Sequence, residues 1–459
     1  MRRRLFSLAL VALAGCTPMG EVQRLDASTG ATAPLPTWSP GAPNPLPPAR
    51  SNADMTRDFL ELGFAMESGR PIANFSRFEG PIAIVPVHAP SAQAIGDLDR
   101  LIARFQAEAG IDIRRATDTT ADENRITVDF VPRRQMQAMV PSASCFVVPN
   151  VDSWQDFVAN RRSTAIDWTQ VVQRHRAAVF IPSDTTPQEI RDCLHEEIAQ
   201  GLGPLNDLFR LSDSIFNDDN FQTTLTGFDM LLLRVWYSPE LHPGMTRDQV
   251  AARLPTLFNR LNPQGRGRGG TQVGITPRAW QLAIEQALSS ADGLSARRES
   301  AARALALARS EGWTDNRLAL SLMLVARVAP RDQGDDAMQA LVQAADIYRH
   351  TPGGEVHAAH IDMHLAVQAL ATGQSQLALD LAQRALPYAA RTENAAFLAS
   401  LQFIRAEALS QLGQVDQASR LRLDSMAAAR YGFGSDAAAR TRLDEIARIG
   451  GAAQRYANL

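Results

Sequence analysis

The 459-residue chain is long enough for two or three domains, each with its own core. A formal charge of −3 and an apolar share of 45% exclude a broad nucleic-acid footprint and wholesale disorder. All 46 basic residues are arginine, and the absence of lysine excludes the P-loop of nucleotide hydrolases, protein-kinase catalysis and Schiff-base chemistry.

The N-terminus reads as an export signal. "MRRR" is a basic n-region and "LFSLALVAL" an apolar h-region too short to span a bilayer. The next residues, Leu13, Ala14, Gly15 and Cys16, resemble the lipobox of bacterial lipoproteins. That resemblance implies a signal peptide over residues 1–15, cleavage before Cys16, and lipidation of Cys16; a plain secretory signal is the alternative. Thr17 in place of Asp is similar to enterobacterial outer-membrane sorting. The expected location is therefore the cell envelope, lipid-anchored with the folded domains exported and the periplasmic side of the outer membrane favoured. In an oxidising compartment the two other cysteines, Cys145 and Cys193, are expected to form a disulfide. Two buried free thiols, or a nucleophilic Cys193 beside His195, are the alternatives.

Residues 16–52 carry seven prolines between Pro34 and Pro48 and read as an extended tether. From 53 to 261 strands and helices alternate. "GPIAIVPV", "RITVDFVP", "SCFVVP" and "AAVFIPSD" are β-rich runs, and "SAQAIGDLDRLIARFQAEAG" is an amphipathic helix closed by Gly110. The order suggests an α+β domain. Its last strand leads into a helix opened by Thr186, Pro187 and Glu189 at the N-cap, N1 and N3 positions of a capping box, and closed by Gly203.

That helix contains "CLHEEIAQGLGPLND" (193–207). Ile190, Leu194, Ile198 and Leu202 form one apolar stripe, which puts Cys193, Glu196, Glu197 and Gln200 on one flank and His195 on the other. Read from His195, the pattern H-E-x-x-A lacks a second ligand. Read from Glu196, it aligns with the metzincin pattern H-E-x-x-H-x-x-G-x-x-H. Glu196, Gln200 and Asn206 then take the ligand positions, Glu197 the general-base position and Gly203 the turn, and Asp207 follows. All three imidazoles are missing, and the amides of Gln200 and Asn206 are poor zinc ligands. No cofactor is expected, zinc entering only if the domain is an active hydrolase. Together with "SDSIFNDDN" and "FDMLLLRVWYSPELHPGM", the stretch resembles the proteobacterial lipoprotein family known as domain of unknown function 2927, over roughly residues 53–260. The resemblance implies a zincin-like domain without an established activity.

Asp213, Asp218 and Asp219 gather oxygen donors without EF-hand spacing, so a solvated loop rather than a calcium site is expected. "NPQGRGRGGTQVG" (262–274) reads as a flexible linker. Residues 275–450 are helical and repetitive: Ala366 aligns over Ala406, Gly373 over Gly413, Ala378 over Ala418 and Ala385 over Ser425. These spacings resemble the tetratricopeptide repeat, with a longer period; an ordinary helical bundle is the alternative. His357, His360 and His364 recur at i, i+3 and i+7 and share a helical face, a plausible transition-metal surface; unligated imidazoles on an exposed repeat helix are the expected reading.

The combined expectation is an α+β zincin-like domain followed by an all-α helical-repeat, tetratricopeptide-like domain. Its partners are the membrane, through the lipid, and an envelope protein or the cell-wall machinery, through the repeats; nucleic acid is not one. The alternative is a metal-dependent peptidase or peptidoglycan-acting hydrolase with Glu197 as general base.

Overall fold

The computed structural model describes residues 38–457 except 42–44, 118–123, 142, 218, 220, 272–273, 275, 290–291 and 331–332, with side chains as far as residue 451. Cys16, the signal segment and Asp218 thus lie outside the described residues. The chain divides into two compact units: Asn44–Val273, and Gly274–Leu459 together with the stretch ending at Pro43.

The first unit runs α1 (Asn52–Gly63), β1 (Ile82–Val87), α2 (Ala92–Arg104), β2 (Ile113–Arg115), β3 (Asn124–Val131), α3 (Arg133–Met139), β4 (Phe146–Pro149), α4 (Trp154–Asn160), β5 (Arg176–Pro182), α5 (Pro187–Leu202), α6 (Gly227–Trp236), α7 (Arg247–Ala251) and α8 (Leu254–Leu261). The five strands form one sheet in the order β2-β1-β3-β5-β4. All neighbours are parallel except the edge pair, where β4 runs antiparallel to β5 with Phe146 opposite Phe180. The unit is therefore α/β with a mixed sheet, which corrects the α+β arrangement suggested by the sequence. The reason is connectivity: parallel neighbours need a crossover, and α2 supplies it between β1 and β2.

Alternation along β5 sets the two faces. Ala177, Val179 and Ile181 enter the main core with Phe59 of α1, Leu98 of α2, Ile190, Leu194, Ile198 and Leu202 of α5, and Trp236 of α6. Ala178 and Phe180 face a smaller cluster with Trp154, Phe157 and the partly buried Phe146. Burial on both faces explains why β5 is a continuous apolar run.

Both flanks of this unit are more ordered than tether and linker composition suggests. Pro48 is buried. Arg50 pairs with Asp58 at 2.7 Å and with Asp213. At the other end Asn262 donates to Asn52 at 3.0 Å, and the Thr271 amide donates to Asp54 at 2.9 Å. Residues 262–271 thus return along α1, fastened by its polar side chains.

Among the described residues the elements of the second unit are all helices: α9 (Arg278–Leu288), α10 (Leu294–Ser310), α11 (Asn316–Val328), α12 (Gly334–His350), α13 (Glu355–Ala371), α14 (Ser375–Arg391), α15 (Ala395–Gln411), α16 (Val415–Asp424), α17 (Met426–Phe433) and α18 (Asp436–Ala457). Helices α13, α14 and α15 each have 17 residues and begin at positions 355, 375 and 395. Their turns are alike. Gly373, Glu393 and Gly413 have φ of 76°, 54° and 80°. The next amide in each case bonds back to Ala369, Ala389 and Leu409 at 2.8, 3.1 and 2.8 Å. This is the left-handed C-terminal closure that glycine favours. Two helices make a 40-residue hairpin, so Ala366 and Ala406, and Ala378 and Ala418, occupy equivalent, fully buried positions. In the same unit Trp38 lies 4.8 Å from the Tyr431 ring.

Candidate functional site

Helix α5 is held at both ends. At its start the Thr186 hydroxyl accepts the Glu189 amide at 3.1 Å. The reciprocal half of the expected capping box is missing, because the Glu189 carboxylate is bound by Arg133 at 3.0 Å and by the Thr185 hydroxyl. At its end Arg174, fully buried, donates to the carbonyls of Gln200 (2.8 Å), Gly201 (2.8 Å) and Gly203 (2.6 Å) and to the Ser76 hydroxyl (3.1 Å). Its guanidinium lies 4.7 Å from the Trp168 ring, and burial pulls its pKa down to about 10. A cation here answers the negative end of the helix. No local motif marks Arg174; it reaches α5 only through the fold. Gly203 packs closely on α6, where a Cβ would lie 3.1 Å from the Trp236 ring.

His195 stands apart from the acidic flank. It is buried, and its Nδ1 accepts the Leu225 amide at 3.1 Å. Burial, then Arg104, Arg191 and Arg100, hold its pKa well below the usual histidine range. The ring is neutral and occupied in the packing of α5 on the following loop.

On the acidic flank Glu197 is buried and Glu196 half-buried. Burial, then the charges of Glu196 and Glu67, push the Glu197 carboxyl well above the ordinary glutamate value. The Gln200 amide donates to Glu67 at 3.3 Å and approaches Asp207 at 3.5 Å. The Asn206 amide donates to the Glu61 carbonyl at 3.0 Å, away from the carboxylate pair. Glu67 belongs to an exposed turn after α1 and is brought over α5 by its amide bond to the Leu205 carbonyl at 3.3 Å. It is a member of the cluster that sequence spacing does not reveal.

Cys145, just before β4, and Cys193 of α5 form a disulfide with Cα atoms 6.0 Å apart. Closure of a loop of this size contributes about 4 kcal/mol in the chain-entropy account. Among the described residues, one group of three candidate metal donors falls within 4.8 Å: Cys145 Sγ and one carboxylate oxygen each of Glu196 and Glu197. While the sulfur is bridged it offers no thiolate, which leaves two carboxyl groups.

The other candidates lie elsewhere. Asp213 is taken by Arg50, and Asp219 accepts the Phe221 amide at 3.1 Å in its own turn. His357, His360 and His364 are not an exposed face, a correction to their reading as a surface. His357 is fully buried and stacks on Tyr348 at 4.5 Å; His360 stacks on Phe397 at 3.7 Å. Burial drives the His360 pKa well down and that of His364 to about 4. The reason is that α13 packs against α12, α14, α15 and α18, leaving little of its circumference to solvent.

The geometry defines a class: an α/β domain with an antiparallel edge strand, whose last parallel strand feeds a helix bearing a buried acidic cluster. Residues 52–256 match the family described as "Protein of unknown function (DUF2927)", so this domain is a domain of that family. The helical unit lies outside the match. No curated protein and no solved structure matches the chain.

Proposed function

We propose that the protein is a cell-envelope lipoprotein in which a zincin-like domain without catalytic turnover is joined to a tetratricopeptide-like domain that binds an envelope protein or the cell-wall machinery. One observation carries the first half. The groups at two of the three zincin ligand positions, Gln200 and Asn206, are amides already engaged with Glu67 and with the Glu61 carbonyl. Neutral amides are poor zinc ligands, and Asn206 is directed at α1. The residues present do not fit a catalytic zinc, and no step is routed through one. The disulfide supports export to an oxidising compartment. Among the described residues no helix is long and apolar enough to cross a membrane; in this reading the lipid on Cys16 is the membrane anchor. Regular 40-residue hairpins, with Leu377, Val415 and Leu423 exposed, support partner binding by the helical domain.

A second reading, a metal-dependent peptidase or peptidoglycan-acting hydrolase, is favoured by Glu197, a buried carboxyl with a raised pKa such as general acids and bases show. Hydrolysis of peptide and peptidoglycan substrates by the oxidised protein separates the two. The proposal expects no turnover above the blank, for the natural chain and for Glu197→Gln alike. Turnover that Glu197→Gln abolishes overturns it.

A further inference from the structure

The bridge sulfurs and the acidic flank of α5 share one small volume. Cys193, Glu196 and Glu197 stand at positions i, i+3 and i+4 of α5 and so project from adjoining turns. Cys145 arrives from the edge of the sheet and is covalently joined to Cys193. Its sulfur and one oxygen of each carboxyl group lie within 4.8 Å of one another. Cys193, bonded to Cys145, brings the donors to two sulfurs and two carboxyl groups, from α5 and the bend just before β4, the number and type that zinc takes in tetrahedral sites.

We infer that the disulfide masks a metal site: reduction of Cys145–Cys193 opens a four-donor site for a thiophilic divalent cation, zinc foremost, held by Cys145, Cys193, Glu196 and Glu197. This donor set differs from the zincin set, because it omits Gln200 and Asn206 and needs both thiolates.

The chemistry balances. A dithiol reductant gives two electrons and two protons to the bridge, the S–S bond breaks, two thiols form, and the reductant leaves as its own disulfide. The cation then binds as the S–H bonds ionise, and their protons pass to solvent. A proton held by the Glu197 carboxyl passes to solvent in the same way as the cation binds. Two thiolates and two carboxylates around a dication carry the same net charge as a four-thiolate zinc site. Neighbouring donors in such a site are about 3.5 Å apart, given bonds of about 2.0–2.3 Å. Thiolate donors select zinc, cadmium or cobalt over calcium and magnesium. Since the metal joins the same strand edge to the same helix, β4 stays fastened to α5 in both redox states. None of this depends on whether the domain turns over a substrate.

The test uses the full chain, reduced with a phosphine and freed of it under anaerobic conditions, and Co2+ as the probe. The reduced protein is expected to develop thiolate-to-cobalt charge-transfer absorption that saturates at one equivalent and disappears when Zn2+ is added; the oxidised protein is expected to show none. Glu196→Gln with Glu197→Gln is expected to weaken cobalt binding by at least about tenfold. Absence of the band in the reduced protein, or an unchanged affinity in the double variant, overturns the inference. A measurement on the natural sequence guards against misfolded variants. One equivalent of Zn2+ must slow alkylation of both Cys145 and Cys193 by iodoacetamide, read by mass spectrometry, and equal rates with and without zinc overturn the inference as well.

Discussion

The two units bury unlike things. The helical unit fills its interior with alanine at fixed intervals, Ala366, Ala378, Ala406 and Ala418 among them, so its cohesion comes from close helix approach repeated every 40 residues. The α/β unit buries many more titratable groups, Asp58, Arg174, Arg191, Glu197 and Asp229 among them, beside Arg317 and Asp362 in the helical unit. Such groups are tolerated only when hydrogen-bonded, paired or neutralised. One unit is thus regular and locally encoded, whereas the other is irregular because it surrounds an acidic helix with long-range polar contacts.

The largest expected effect tests the buried charge directly. Arg174→Ala leaves three carbonyls at the end of α5 without their donor, and is expected to lower the stability of the α/β unit by about 3 kcal/mol or more. Urea denaturation read on that unit's transition measures it. A loss under about 1 kcal/mol would mean that water replaces the guanidinium and that the unit does not depend on its internal cation.

Glu197 gives a pH-dependent contrast. Folding raises its pKa above the ordinary value, so the native state binds the proton more tightly than the unfolded chain does, and stability falls as pH rises through that window. Glu197→Gln removes the effect. The variant is expected to gain on the natural protein by up to about 1.4 kcal/mol per pH unit between the ordinary and the raised value, and to show no advantage at lower pH. Melting temperatures across a pH series read the slope; parallel curves would show that Glu197 is solvated.

The smallest effect belongs to the regular unit. Glu393 occupies the left-handed turn position that glycine fills at 373 and 413. Glu393→Gly is expected to stabilise the helical unit by about 0.5–1 kcal/mol by relieving that conformation. A destabilised variant would break the equivalence of the three turns.

Much of this was legible because it is local. The stripe Ile190, Leu194, Ile198 and Leu202, the Thr186 cap and the separation of His195 from Glu196 follow from helix geometry, and the aligned alanines and glycines follow from a repeat. Cysteine counting, with export expected from the N-terminal pattern, pointed to the pair that forms the bridge. What stayed hidden is what the tertiary fold brings from afar. Glu67 reaches Gln200 across 133 residues, and Arg174 reaches the end of α5 across 26 to 29. Neither carries a motif, because any glutamate or arginine at those points of the backbone would serve. The histidines of α13 misled for the same reason: spacing gives a shared face, whereas neighbouring helices decide whether the face is open.

The proposal that the α/β domain holds no catalytic zinc rests on Gln200 and Asn206, whose amides are bound to Glu67 and to the Glu61 carbonyl. Metal analysis of the oxidised full chain, purified without chelator, tests it most directly. Zinc is expected far below one atom per chain, unchanged in Glu196→Ala. One zinc per chain, lost in Glu196→Ala with the circular dichroism spectrum intact, would contradict it.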